Sequence, residues 1–358
     1  MSNKPSQLPP NAHPALAGFR RENLLCCFDA LCTKDTLTRA ELATATGLSI
    51  MTTGKIADAL VECGVLGEQK LPGAGAGRRP GTLQFDAKPT FLILSLYSRR
   101  FAAHVISPDM QARQVAVYDY NDVFPYDDNL LIFLNALRRS CNTSPEAIPY
   151  LGLIVSPEQD ARQSITRALE VSPRSREHLV EFVCRMLHRA CDLVIDEITA
   201  AQTYIGTRSA CRDVGCGVFI SLSDMTYAAV WMKGNLLCPR VCRIGELLLP
   251  EHRRVADALA DALCTSDAVL PTAYAISTLE SFFTPDYVLL ESGRFRLDQA
   301  FLDDVYDALA PMLPVGARII PLHLSDANPL SAVCGCAAEL RRAWFYELSG
   351  LQIPPTGI

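Results

Sequence analysis

Hydrophobic positions change their period along this chain, and the changes mark out its parts. Between residues 19 and 31, Leu24, Leu25, Phe28 and Leu31 recur at helical spacing and predict a helix with one apolar face. Thr38-Arg39-Ala40-Glu41 reads as a capping box: a threonine hydroxyl and the glutamate three residues on satisfy backbone N–H groups at a helix start. The helix that follows turns Leu42 and Ala43 inward and ends at Gly47, a residue suited to the left-handed conformation. Ser49 caps the next helix, whose Ile56 and Leu60 face the core at the expected interval. Gly64 closes that helix and Val65-Leu66 opens a strand. Residues 73–77 form a flexible glycine tip, and a return strand is predicted over residues 82–85.

Beyond Phe85 the pattern becomes that of strands alternating with helices. Strands are predicted over residues 92–96, 102–106 and 114–118, joined by tight turns. A helix follows at 128–139, a strand at 151–155, a helix at 176–189, a strand at 193–195 and a helix at 199–209. A similar order recurs: strands at 218–222 and 227–232, helices at 252–264 and 271–282, a strand at 287–290, a helix at 298–313, a strand at 318–321 and a long helix at 330–348. Such alternation defines an α/β class. The expected division is a flexible arm (1–17), a winged helix-turn-helix (18–86) and two lobes (87–210 and 211–358), with the last helix free to pack back on the first lobe.

Composition narrows the setting. With 358 residues and 49% hydrophobic content, the chain can bury a sizeable core and is not a disordered protein. No apolar run reaches the roughly 18 residues of a membrane span, and the polar, proline-rich start has no apolar signal core, so a cytoplasmic location without membrane contact is expected. The net charge of −6 argues against a protein coated in nucleic acid. The charge is uneven, however: residues 1–85 carry a balance of +2, leaving −8 for the rest. A basic head on an acidic body suits a protein that touches DNA at one end. The 14 cysteines, many among apolar neighbours, are expected to be reduced and buried. Cys238 and Cys242, or Cys334 and Cys336, have no companion knuckle of standard spacing, so no metal site is expected.

The order helix, capped helix, glycine turn, capped helix, strand, glycine loop, arginines, strand is that of a winged helix-turn-helix, which sets one helix in the DNA major groove. Ile50, Met51, Thr52, Thr53 and Lys55 stand near the exposed start of the second motif helix, as candidates to meet base edges or phosphates. Thr38, Arg39 and Ser49 at the helix starts, and Arg78 and Arg79 beyond the wing, complete the candidate DNA-facing set. Capping boxes, paired arginines and the motif's shape also occur in proteins that bind no DNA. Gly54, inside a helix, either admits a close DNA backbone or is simply tolerated.

The head resembles the N-terminal domain of the ROK family (repressors, open reading frames and sugar kinases). The matching residues are Asn23, Thr38-Arg39-Ala40-Glu41-Leu42-Ala43, Thr46-Gly47-Leu48-Ser49, Thr52, Leu60, Gly64 and Gly77-Arg78-Arg79-Pro80. The resemblance implies that the second motif helix reads the major groove and that the arginines reach towards the minor groove. The body is similar to the same family in Leu151-Gly152-Leu153-Ile154-Val155-Ser156-Pro157 (with Glu158 where a glycine is usual), Ile244-Gly245-Glu246-Leu247, Pro285-Asp286-Tyr287-Val288-Leu289-Leu290 and Gly335-Cys336-Ala337-Ala338. It implies a two-lobed actin-like, sugar-kinase (ribonuclease H-like) fold with ligand in the cleft.

Against that family pattern the catalytic parts are missing. Nucleotide phosphates need glycines where a side chain would collide. The first phosphate turn corresponds to Leu94-Ser95-Leu96-Tyr97-Ser98-Arg99-Arg100, without aspartate or glycine. The second corresponds to Leu222-Ser223-Asp224-Met225-Thr226-Tyr227, without glycine. The family's Asn-Asp pair becomes Asp196-Glu197, which reads either as acceptors for sugar hydroxyls or as an acidic helix start favoured by the helix dipole. Glu246 is the other effector contact that the resemblance implies. Leu249 stands where a histidine is usual, and Glu251-His252-Arg253-Arg254-Val255-Ala256 replaces the zinc-binding cysteines. His252 reads as a substitute contact or as plain surface.

The expectation is a regulator of the ROK type, a repressor acting on an inverted-repeat operator in double-stranded DNA as a homodimer or tetramer. It has a remodelled cleft for a sugar-derived effector, no cofactor and no enzymatic activity. A DNA-binding scaffold with a protein partner, and a sugar kinase, are the alternatives.

Overall fold

The computed structural model describes residues 13–350 apart from 35, 71–80, 98–99, 142–143, 156–175, 208–214, 223–225, 234, 237–242, 315 and 328–329. The arm up to residue 12, the glycine tip, Arg78-Arg79-Pro80, the Ser156-Pro157-Glu158 turn and Cys238 and Cys242 lie outside the described residues.

The head is built as its caps dictate. α1 (Arg21–Cys32) buries Leu24, Cys27, Phe28 and Leu31. α2 (Arg39–Thr46) opens on the full capping box, with Thr38 N–H donating to Glu41 Oε2 at 2.8 Å and Glu41 N–H donating to Thr38 Oγ1 at 3.2 Å. Gly47 ends it at φ +69. α3 (Ile50–Glu62) starts on the Ser49 hydroxyl, which accepts from Thr52 N at 3.1 Å. β2 (Leu66–Lys70) and β3 (Gly81–Phe85) form the antiparallel wing. A two-residue strand that the sequence pattern does not betray, β1 (Leu37–Thr38), adds to the far side of β3. It is too short to show alternation.

Lobe 1 holds β4 (Phe91–Leu96), β5 (Arg100–Ile106), β6 (Ala112–Asp119), α4 (Tyr126–Ser140), β7 (Tyr150–Val155), α5 (Arg176–Leu187), β8 (Leu193–Asp196) and α6 (Glu197–Thr207). Its sheet runs β6-β5-β4-β7-β8, antiparallel on the β6 side and parallel on the β8 side. Lobe 2 holds β9 (Cys216–Leu222), β10 (Tyr227–Met232), β11 (Asn235–Leu236), α7 (Val255–Asp261), α8 (Thr265–Phe283), β12 (Tyr287–Ser292), α9 (Gln299–Leu309), β13 (Leu322–Leu324) and α10 (Ser331–Ser349). Its sheet, β11-β10-β9-β12-β13, repeats the layout of the first. β4 and β7 are wholly apolar on both faces apart from Ser95, Gly152 and the half-buried Tyr150, as central strands covered on both sides must be.

Several element boundaries differ from the sequence pattern, three of them in ways with a physical reason. The strand expected at 318–321 is β13, at 322–324; Pro321 leads into it, its carbonyl accepting from Val288 N at 2.9 Å while it has no N–H to donate. α8 begins at Thr265 rather than Pro271; Asp267 accepts from Leu263 N and Cys264 N, and Pro271 sits inside the helix. The helix expected from His252 is the shorter α7, because His252 occupies a turn at φ +62.

α10 ties the parts together. Its N-terminus meets lobe 2, where Ser331 N and Oγ donate to Glu291 at 2.9 and 2.6 Å. Along lobe 1 it crosses α6 so closely that a Cβ on Gly335 would stand 1.7 Å from the Ala200 carbonyl oxygen. Tyr150 of β7 donates to Glu347 at 2.7 Å. Its last turns enter the head. Arg341 lies 4.4 Å from the Phe85 ring and donates to Pro108 O at 2.9 Å, and Leu348 O accepts from His13 N at 3.1 Å. Phe28, Phe85, Phe345 and Trp344 belong to one continuous core.

Candidate nucleic-acid interface and inter-lobe site

The exposed start of α3 carries the apolar side chains of Ile50 and Met51, 69% and 72% exposed, with Lys55 exposed one turn on. Large apolar groups are thus held out at a helix N-terminus beside an exposed cation, a surface open to a partner. Ser49 and Thr52 share a hydroxyl contact at 2.9 Å and hold the turn. A Cβ at Gly54 would meet nothing within 4 Å, so no internal contact demands glycine there.

Thr53 is a correction. It is fully buried against the head's core, and helical geometry turns it to the face opposite Lys55, so it cannot meet DNA. Thr38 is occupied by the capping box. Arg39 is committed inside the head, with Nη1 2.5 Å from Asp58 of α3 and Nη2 3.0 Å from Glu68 of β2. Its role in the geometry is to brace α2, α3 and the wing. Arg78 and Arg79 lie outside the described residues.

Between the lobes, the carboxyl ends of the parallel strands converge on a buried polar cluster, the usual place for a ligand in such sheets. Tyr97 follows β4, Glu197 opens α6 after β8, Glu291 lies near the end of β12, and Tyr227 begins β10. Burial, then the charges of Glu197 and Glu291, pushes both tyrosine hydroxyls well above their ordinary range. Burial also raises the Glu291 carboxyl, opposed by the donors of Ser331. The hydroxyls of Ser95, Tyr97 and Tyr227 have no hydrogen-bond partner among the described residues. Buried groups left this way cost about 1–3 kcal/mol each.

This geometry decides how the family's nucleotide fits. The first phosphate turn carries the Tyr97 phenol, and its neighbours Ser98 and Arg99 lie outside the described residues. At the second, Ser223, Asp224 and Met225 are likewise outside, but Thr226 is buried with φ +35 and Tyr227 is buried beside it. A glycine-like backbone persists at Thr226 with a branched side chain upon it. Among the described residues of the two positions, Tyr97, Thr226 and Tyr227 carry side chains where the resemblance implies glycine.

The candidate effector residues separate. Asp196 accepts from Thr199 N at 2.9 Å and so caps α6. Glu197 is 5% exposed within the buried cluster. Glu246 ends a 3-10 turn (Ile244–Glu246) on lobe 2, exposed and 3.3 Å from Arg254, which also grips Asp257. Gly245 N donates to Thr226 O at 2.9 Å, so this turn is fastened to the second phosphate position. Leu249 is buried in the lobe 2 core, and His252 is exposed. Residues 251–256 do not fit the family's zinc, having no cysteine. Among the described residues no three side chains of ligand type come together.

Sequence reasoning missed Glu291 and Ser331, and that Tyr97 and Tyr227 feel the same two carboxylates. The available signal was a glutamate near the end of the otherwise apolar run Tyr287-Val288-Leu289-Leu290-Glu291.

A winged helix joined to a two-lobed α/β body of duplicated sheet order is thus the architecture of this chain. No protein-family description matches it, and no curated protein sequence does. Among solved structures it is similar to a ROK family transcriptional regulator, a homolog of the E. coli MLC protein. That likeness has 13% identity and a TM-score of 0.53, over 91% of this chain and 97% of the other. It is also similar to an inorganic polyphosphate/ATP-glucomannokinase from Arthrobacter sp. strain KM, with 14% identity and a TM-score of 0.49 over 72% of this chain and 100% of the other. A third is a ROK hexokinase from Thermus thermophilus, with 14% identity and a TM-score of 0.39 over 71% and 99%. The first of these likenesses, over head and body together, shows that this chain shares the fold of that structure. Among the described residues no helix is long and apolar enough to cross a membrane.

Proposed function

We propose that this protein is a DNA-binding transcriptional regulator of the ROK type without phosphotransferase activity. The observation that carries the reading is the pairing of an outward-facing Ile50, Met51 and Lys55 with phosphate positions filled by Tyr97 and Tyr227. The similar solved regulator, which spans head and body alike, supports it. Two heads in a homodimer or tetramer would address half-sites about one helical turn apart, an inverted-repeat operator. Arg78 and Arg79 would follow the backbone into the adjacent minor groove. The cleft is proposed to take a sugar-derived effector through Glu197 and Glu246. Such an effector shifts operator affinity only by binding the two lobe arrangements unequally.

Genomic footprinting of the bound protein, followed by anisotropy titration on the recovered sites, tests the reading. Saturable, salt-sensitive binding to a shared inverted repeat is the expected result. Absence of any preferred site, together with ATP-dependent phosphorylation of a hexose, would reverse it. A thermal-shift screen with sugars and sugar phosphates tests the effector, since a ligand of the native state raises apparent stability.

A further inference from the structure

Cys184, in the last turn of α5, and Cys191, two residues ahead of β8, face each other with sulfur atoms 3.3 Å apart. Both are free thiols and partly exposed. The contact is built by its supports. α5 ends at Leu187, the chain reverses at His188 with φ +51, and Arg189 N donates back to Cys184 O at 3.1 Å. The Arg189 guanidinium donates to the carbonyls of Ile148 and Pro149 and pairs with Asp192 at 2.8 Å. Asp192 accepts from Leu151 N at 2.7 Å, while its own N–H donates to Leu151 O at 2.9 Å. The segment bearing Cys191 is therefore fastened to β7, and Cys184 is fixed by its helix. A disulfide needs an S–S distance of about 2.05 Å, so closure requires the two sulfurs to approach by little more than an ångström.

We propose that Cys184 and Cys191 form a redox-active dithiol that closes to an intramolecular disulfide when it meets a low-molecular-weight disulfide. In the first step the Cys184 thiolate attacks one sulfur of the small disulfide. That S–S bond breaks, one small thiolate leaves, and Cys184 carries a mixed disulfide. In the second, Cys191 loses its proton to water and attacks the Cys184 sulfur. The mixed bond breaks and the second small thiolate leaves. Two protein thiols have lost two electrons and two protons, and one small disulfide has become two thiols. Burial pushes the Cys191 thiol up, which suits it to react second, once the mixed disulfide on Cys184 stands within contact distance of its sulfur. The bond ties the end of α5 to the strand that delivers Asp196 and Glu197 to the inter-lobe cluster. It stands independently of any role in DNA binding.

The full-length protein, equilibrated with oxidised glutathione, alkylated and digested, tests this by peptide mass. The expected product is a linkage between the Cys184 and Cys191 peptides, lighter by two hydrogens and reversed by dithiothreitol. In C191S the glutathione adduct should accumulate on Cys184, and in C184S the linkage should vanish, with both variants folded by circular dichroism. Full alkylation of both thiols after oxidation would overturn the proposal. So would a glutathione adduct that persists on either cysteine of the unsubstituted protein, or linkage of these residues to other cysteines instead.

Discussion

The ring of Phe28, in the first helix of the head, stacks on the ring of Phe345, in the last helix of the chain, with centroids 4.3 Å apart and planes 13° from parallel. Phe28 also meets Phe85 edge-on at 5.6 Å. Chain segments more than 300 residues apart thus share one core, and the head is not a bead on a string. Phe345→Ala should cost about 3–5 kcal/mol in chemical denaturation. A double-mutant cycle with Phe28→Leu should return a coupling of about 0.5–1.5 kcal/mol. Additive losses, with the head melting separately, would contradict the shared core.

Lys55 is the exposed cation on the candidate reading helix. Replacing it with alanine should weaken operator binding and reduce the slope of log affinity against log salt by about one phosphate contact. Arg78→Ala is expected to act alike, and both are read by anisotropy titration across a salt series. Unchanged slopes in both variants would remove the proposed docking face.

Gly335 has no room for a side chain, because the Ala200 carbonyl oxygen occupies its Cβ position. Gly335→Ala must push α10 away from α6 along their tightest crossing. The expected cost exceeds about 3 kcal/mol, seen as a large fall in melting temperature or loss of folded protein. A near-neutral outcome would mean the two helices slide freely.

His104, buried in β5 with Nδ1 unpartnered among the described residues, has its pKa lowered to about 4 by burial, against a partial pull from Gln114. In the unfolded chain it titrates near 6.5. As pH falls from about 6.5 to 4 the unfolded state takes up a proton that the native state refuses, so this group withdraws stability, by up to about 3 kcal/mol. Glu291, raised by burial, works in the opposite sense: it stabilises the native state as pH falls towards its unfolded pKa. Urea denaturation between pH 4 and 7 should therefore show a shallower acid-side loss in His104→Gln and a steeper one in Glu291→Gln. Parallel curves for all three proteins would discard both assignments.

The head was the most readable part of the sequence, because caps are local chemistry. Thr38, Glu41, Gly47 and Ser49 act through bonds within four residues, and each sits where its type demands. The duplicated strand order was readable from apolar runs that must be covered on both faces. Thr53 was misjudged because spacing alone does not say how deep a small polar side chain sits. Pro271 misled because a proline marks a helix start more often than it rides inside one, and Asp267 had already begun the helix. The resemblance had already set Tyr97, Glu197 and Tyr227 at cleft positions, but Glu291 was not legible: four strand ends from two sheets supply the cluster, and no local pattern encodes that meeting.

Arg39 spreads its guanidinium between Asp58 on α3 and Glu68 on the wing strand. Partly exposed ion pairs of this kind add little free energy, but here one cation sets the pitch of a helix and the slant of a ribbon at once. Whatever surface the head meets is met by both in a single pose, as a stamp meets paper. A poor fit at one edge would then rock the whole tool instead of bending a finger, which favours sharp discrimination over adaptability.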